Sequence, residues 1–539
     1  MANKKDLIIL FFIFLLGVFW RFFLLGSNPP SLYWDEVAIG LDGYSLATTG
    51  KDINGFSPFQ PIFLSYGDYK APVYIWLAVL PIKLLGLTLL AVRLPAAILG
   101  SILPILVWLL GRQLLFFLDP EEQKRFSSWP AWAALVTALN PWTIEFSRIG
   151  FESGVSLVWL TLSLWLFLKA VKDKLWFLIL SALAALVSVY TYFSVRIIWP
   201  FLLVGWGVIF AKKLWEEKLM VIVSLVLGAV LLIPLFTSPF YQLSQQYRLS
   251  TPNLSQPESE IKQSVSYLQK DQNFFISSSV HHRYWFIGRQ FLENYFSHFS
   301  VPFLFLNGDS NLRQHSGWGG ELLVISLPFF LIGVGLLLKY WPSKLSQFIL
   351  LSLLVFPLAA SIPQEIPHAS RAIYLVLPMI LITGWGLSWF TRLLVRQKLV
   401  KVLVILGFSL NLGLWTHDYI VHYPIRSSQA WIWPYWQMAE LVKQNHLNWQ
   451  IEAVSEKYWQ PQLYLLWSMP ELLAQLQPST PGKADLSLNH ILKLTNQQAR
   501  QGSIKVKFLT KEEIKANDQI LATLTFLDGQ PTLFLTSEK

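Results

Sequence analysis

Apolar runs long enough to cross, or nearly cross, a bilayer recur from residue 7 to residue 414. They cover 7–25, 89–117, 129–146, 154–168, 175–190, 197–210, 219–236, 322–338, 345–360, 372–390 and 399–414. The pattern predicts an α-helical polytopic membrane protein with about eleven transmembrane helices. Lys and Arg set its orientation. With Lys4 and Lys5 cytoplasmic, alternate connections hold Lys124 and Arg125; Lys169, Lys172 and Lys174; Lys212, Lys213 and Lys218; Lys339 and Lys344; and Arg392, Arg396, Lys398 and Lys401. Every cluster then lies inside. One more apolar run, Pro72–Leu85, would invert all later clusters if it crossed, so it reads as a helix on the membrane surface.

The outer side then receives a first loop, 26–88, the turns around Arg148 and Glu152 and over 192–196, a long loop, 237–321, the turn 361–371, and everything after Trp415. In the first loop Asp35 sits like an N-cap, and Val37, Leu41 and Tyr44 follow at helical spacing. This predicts a second amphipathic surface helix, with Asp35 and Glu36 at its start. The long loop opens with a polar stretch, 242–263, expected to be mobile. Its aromatic part, 281–299, is expected to pack onto the membrane surface. The tail, 416–539, is polar, with a helical segment over 432–445 and strand segments over 451–455, 505–509 and 532–535. It reads as a small extracytoplasmic α/β domain after a membrane domain spanning 1–415.

Composition agrees. Of 539 residues, 54% are hydrophobic and 14% charged, more apolar surface than a soluble chain can hide. The net charge of +10 follows the membrane topology, so no nucleic-acid partner is expected. The absence of cysteine excludes disulfides, thiolate metal sites and cysteine nucleophiles. The first apolar run lacks a small-residue cleavage site and reads as an uncleaved span. No nucleotide fingerprint, nucleophile elbow or metal-ligand spacing occurs. Two adjacent carboxylates permit a divalent ion without indicating one.

The topology gathers unusual polar groups on the outer face. Asp35 and Glu36 start the first surface helix; Lys70 precedes the second, in Tyr66-Gly67-Asp68-Tyr69-Lys70-Ala71-Pro72. Arg93 lies in Ala91-Val92-Arg93-Leu94-Pro95, and Arg148 and Glu152 close a stretch that begins Asn140-Pro141-Trp142. Arg196 follows Tyr192-Phe193, and His368 and Arg371 lie in Pro367-His368-Ala369-Ser370-Arg371. Each has a plainer reading as a snorkelling side chain or local ion pair, and Glu145 reads as structural or as a pairing partner. Together they suit a lipid phosphate held by cations while a carboxylate handles a hydroxyl.

An Asp-Glu pair after the first span, a Lys-x-Pro segment, an Arg-Leu-Pro segment, and Pro-Trp…Ser-Arg with an acid four residues on, in this order and on one side, resemble the GT-C glycosyltransferases. The nearest group is that of the protein O-mannosyltransferases and aminoarabinose transferases. The likeness covers about the first 200 residues and extends more thinly through Pro-His-x-x-Arg. It implies a polyprenyl-phosphate sugar donor, a hydroxyl-bearing acceptor, inversion at the anomeric carbon and an active site outside the cytoplasm; a bacterial cell membrane is the expected location. By position, Asp35 and Glu36 match the first-loop acidic motif, Glu152 the second-loop acid, and Lys70 the lysine that contacts donor phosphate. The chain departs from the group in having Glu at 152 and Ala-Pro after Lys70. The resemblance favours the first-loop pair as the acceptor base; Lys70, Arg148 or Arg371 would stabilise the leaving phosphate, with His368 and Arg196 as further contacts. The alternatives are a secondary transporter, whose charges would line a path through the bundle, and another lipid-linked glycan polymerase or ligase.

Overall fold

The computed structural model describes residues 4–250, 258–271, 275–363, 365–393 and 397–538. Arg396, Gln364 and residues 251–257 of the polar stretch lie outside the described residues. The protein is mostly helical, with a small sheet in the tail. Among the described residues, four helices are long and apolar enough to cross a membrane: Leu89–Leu115, Glu152–Lys172, Lys218–Thr237 and Ile373–Leu393. Most of the other apolar runs form shorter helices at the expected positions. The run 129–146 is broken: helix Trp129–Leu139 stops at Asn140, whose side chain caps the next short helix by accepting from the Thr143 N–H at 3.1 Å. Pro141 has no N–H to continue the first helix and fits the opening of the second.

Helix packing uses small and hydroxylated residues. Ser156 and Ser188, and Ser163 and Ser181, pair at 3.0 Å between helices Glu152–Lys172 and Phe177–Thr191. A Cβ on Gly333 would sit 2.0 Å from the Ile382 carbonyl oxygen, so helices Leu327–Lys339 and Val376–Leu393 approach at a distance only glycine permits.

After α1 (Lys4–Phe22), the first loop contains α2 (Trp34–Thr49), the hairpin β1 (Phe63–Ser65) and β2 (Asp68–Lys70), and α3 (Pro72–Leu85), which leads into α4 (Leu89–Leu115). Two expectations for α2 are corrected. Its N-cap is Tyr33 rather than Asp35, and Glu36 reaches back to the Tyr33 N–H at 3.3 Å. Nor is it amphipathic: Glu36 to Gly43 are all buried, because α3 and α4 cover one side and the tail covers another. The run Val37-Ala38-Ile39-Gly40-Leu41 is apolar around the whole circumference, and such a helix is stable only when enclosed. By contrast, α3 exposes Trp76, Leu80, Leu84 and Leu85, an apolar face suited to lipid.

The tail forms a four-stranded sheet of order β3-β4-β6-β5, from β3 (Trp449–Val454), β4 (Ile504–Leu509), β5 (Asp518–Thr525) and β6 (Pro531–Glu538). β3 and β4 are parallel; the other pairs are antiparallel. The three expected strands overlap β3, β4 and β6, and the expected helix is Trp433–Asn445. The tail shares its core with the first loop. Tyr464 donates to the Leu32 carbonyl at 2.9 Å, and Gln477 Nε2 to Thr49 Oγ1 at 2.6 Å.

Candidate functional site

The hairpin turns at Tyr66 and Gly67, with φ of 51° and 85°, a backbone that favours glycine at the second position. In a strand, residues two apart share a face. Asp68 and Lys70 therefore project together, and Lys70 Nζ lies 3.4 Å from Asp68 Oδ2. The same ammonium forms an ion pair with Asp35, in the first turn of α2, and lies 5.2 Å from the Trp34 ring centroid. Lys70 is buried, while Asp35 keeps 30% of its side chain exposed. Burial alone would push the Lys70 pKa down. Asp35, then Asp68 and Glu152, outweigh it and hold the ammonium above the ordinary lysine range. Glu152 opens its own helix and lies within electrostatic reach of this lysine.

The other expected residues take distinct positions. Glu36 is fully buried in a bidentate pair with Arg93, at 3.0 and 3.1 Å, and also accepts from the Gly150 N–H at 2.6 Å. Arg93 donates further to the Pro29 and Ser31 carbonyls. Arg148 donates to the carbonyls of Trp20, Phe23 and Asn28 at 2.7–2.9 Å and to the Tyr419 hydroxyl, tying down the exit of the first span. Arg196 donates to the Val189 carbonyl and stacks 4.0 Å from the Phe193 ring centroid, within its own turn. His368 contacts Gln314 at 3.2 Å and accepts from the Arg371 N–H at 3.3 Å. The Ser370 hydroxyl donates to Ser153 at 2.9 Å, bringing the Arg371 turn beside the start of the Glu152 helix. Arg371 Nη1 is buried and has no hydrogen-bond partner among the described residues.

Sequence reasoning passed over Asp68; its signal was the i, i+2 spacing to Lys70 after a Tyr-Gly turn. It also passed over the 309–314 loop, which straps the His368–Arg371 turn. Asp309 accepts from the Ala369 N–H at 2.7 Å, and Gln314 from the Ser370 N–H at 3.0 Å. No group of three or more His, Asp or Glu side chains with metal-holding geometry occurs among the described residues. The Asp35 and Asp68 carboxylates both pair with Lys70, which already supplies a positive charge.

Behind the cluster, Asp42 of α2 accepts a hydrogen bond from Ser65 at 2.5 Å and so pins the hairpin to the helix. Burial pushes its carboxyl up to about 8, with Ser65 opposing and Asp52 adding to the shift. The folded state therefore binds this proton more tightly than the unfolded state. The resulting stability is present below the ordinary Asp value of about 4 and is lost as pH rises toward about 8. Asp42→Asn mimics the protonated form. Thermal unfolding in detergent is expected to show a smaller fall in midpoint between pH 5 and pH 8 for this variant than for the native chain; equal falls would refute the assignment.

This architecture is the GT-C fold of membrane glycosyltransferases, and its apolar helices belong in a membrane. ArnT from Cupriavidus metallidurans, solved bound to undecaprenyl phosphate, superposes with a TM-score of 0.51 at 14% identity, covering 99% of this chain and 98% of that one. The oligosaccharyltransferase AglB from Archaeoglobus fulgidus, in complex with an inhibitory peptide and a dolichol-phosphate, superposes with a TM-score of 0.51 at 14% identity. It covers 94% of this chain and 69% of that one. The same archaeal enzyme tethered with an acceptor peptide containing the NVT sequon gives 0.51 at 12% identity, over 94% and 69%. At these identities the likeness is one of fold. No protein-family model and no curated protein matches the chain.

Proposed function

We propose that this chain is a membrane glycosyltransferase that moves a sugar from a polyprenyl-phosphate donor to an acceptor hydroxyl on the extracytoplasmic face, with inversion. The observation that carries the reading is the pairing of Lys70 with Asp35 and Asp68, with Glu152 within electrostatic reach, in a fold shared with proteins solved with undecaprenyl phosphate or dolichol-phosphate. A transport path would have no need to bring Asp35 and Glu152 together. The topology proposed with it has about eleven spans, a cytoplasmic N-terminus and an outer tail, 416–539.

Lys70 is the phosphate ligand, with Arg371, whose Nη1 lacks a partner among the described residues, as the second cation. The incoming phosphate competes with Asp35 for Lys70 and releases the Asp35 carboxylate. Asp35 then takes the acceptor proton as the new C–O bond forms, and the C–O bond to phosphate breaks with its electron pair leaving on phosphate. Glu152 orients the acceptor. Glu36 and Arg148 are assigned to holding the outer face together, since their polar atoms are engaged with Arg93 and with backbone carbonyls.

Lys70→Gln and Arg371→Ala are each expected to weaken donor binding, since each removes a charge-assisted contact worth about 1.5–3 kcal/mol, or roughly 10- to 100-fold in Kd. Titrating a polyprenyl phosphate into the protein in nanodiscs checks this. Unchanged affinity in both variants would remove them from the phosphate site.

A further inference from the structure

Beside Tyr33, a cavity of about 770 Å³ opens between parts of the chain that are far apart in sequence. Its walls are the 309–313 loop, the 365–368 turn, residues of the 426–432 connection, and Tyr458 of the tail. The size falls in the range of roughly 300–1,000 Å³ typical of pockets that enclose organic ligands.

Several ionisable groups in its lining are already engaged. Arg426 holds Asp418 at 2.6 and 3.1 Å and the Ser316 carbonyl at 2.5 Å. Asp309 accepts from two backbone N–H groups, of Asn311 and Ala369. His368 lies between Gln314 and the Arg371 N–H. Arg313 differs. Its Nε donates to Asn311 Oδ1 at 3.1 Å and its guanidinium stacks 4.1 Å from the Tyr33 ring centroid, but Nη1 and Nη2 have no hydrogen-bond partner among the described residues. The Gln429 side-chain amide is equally uncommitted among them, and Glu365 stands exposed at the rim. Tyr33 lies within electrostatic reach of Arg313 and also of Asp35 and Lys70, so the cavity adjoins the carboxylate cluster.

We infer that this cavity is the acceptor site, and that the acceptor is a glycan carrying a negative charge. The inference rests on the transfer reading above and gives it a substrate class. The planar Arg313 fork matches a carboxylate or phosphate oxygen pair. Gln429 can donate to and accept from sugar hydroxyls, and Glu365 can accept from them. Charged and amide side chains alternate with the apolar lining residues Leu312, Ile366, Ala430 and Ile432, a mixture that does not suit a lipid tail. None of the lining residues lies in a strand, so a peptide backbone finds no edge to pair with.

The test compares charge at nearly constant shape. The full chain in detergent is titrated calorimetrically with a galacturonic acid tetramer and with its methyl ester. A second arm uses nanodiscs containing a glucuronosyl or a glucosyl diacylglycerol, because the same chemistry occurs on free glycans and on glycolipid headgroups. The charged member of at least one pair is expected to bind about tenfold tighter than the neutral one. Arg313→Gln abolishes that preference, and Arg313→Lys, which keeps the charge, retains part of it. Preference in the first arm alone assigns a free glycan; in the second alone, a headgroup. No charge preference in the native chain, a preference that survives Arg313→Gln, or Arg313-dependent binding of an acidic peptide in place of both glycans overturns the inference. The readout needs no donor and no turnover, so its failure leaves the transferase reading standing, and failure of transfer is scored separately.

Discussion

Asp35→Asn is expected to lower turnover by about 10²- to 10⁴-fold, the usual worth of a general base. The substitution keeps the shape of the side chain and removes its basicity. It also removes the anion that holds Lys70, so the lysine becomes freer to meet a phosphate. Donor affinity should therefore stay level or rise while kcat falls. That split separates a base from a residue that merely shapes the site, whose loss would weaken binding and turnover together. Asp35 suits the role because it is the partly exposed member of its ion pair and lies in the first turn of α2, at the mouth of the site. If Asp35→Asn transfers sugar at the native rate, the base is not Asp35 and the role passes to Glu152.

Glu36→Ala and Arg93→Ala are expected to be the most damaging substitutions to stability, at about 3–5 kcal/mol each. Both side chains are fully buried, so removing either leaves an uncompensated charge in the interior. Loss of Glu36 also strands the N–H groups of Gly150 and Tyr33, and loss of Arg93 strands the Pro29 and Ser31 carbonyls. Against a total stability of order 5–15 kcal/mol for a typical folded domain, such a loss unfolds much of the region around α2. Removing both partners together should cost less than the sum of the two single losses, because no charge is left alone. Thermal unfolding of the detergent-solubilised variants checks this. A Glu36→Ala variant as stable as the native chain but without turnover would return Glu36 to the catalytic group.

The contrast between Asp35 and Glu36 shows where sequence reading reaches its limit. Both are acids at the start of one helix, one residue apart, and a membrane boundary makes either a candidate. What separates them is the partner: Arg93 reaches Glu36 from α4, and Lys70 reaches Asp35 from a hairpin. Neither contact leaves a mark on local pattern. The membrane helices were legible because long apolar runs record their environment directly, although the break at Asn140-Pro141 turned one expected span into two helices. Lys70, Arg371 and Glu152 stood out in the sequence as charged residues flanking apolar runs. Arg148 was legible on the same grounds, yet its hydrogen bonds go to the exit of the first span. The enclosure of α2 was not legible, because the tail that covers it lies some four hundred residues away. The Arg313 cavity was hidden for the same reason, and β5 because its exposed Ile520 and Leu521 blur the strand alternation.

The central claim is that the carboxylate cluster around Lys70 transfers sugar from a lipid phosphate. It is tested most directly by incubating the purified protein with radiolabelled polyprenyl-phosphate sugars beside Asp35→Asn and Glu152→Gln. The native chain is expected to consume at least one of these donors, and Asp35→Asn, still folded and still binding polyprenyl phosphate, to consume it at least a hundredfold more slowly. Consumption at the native rate by both carboxamide variants, or no consumption of any polyprenyl-phosphate sugar that the native chain binds, would contradict it.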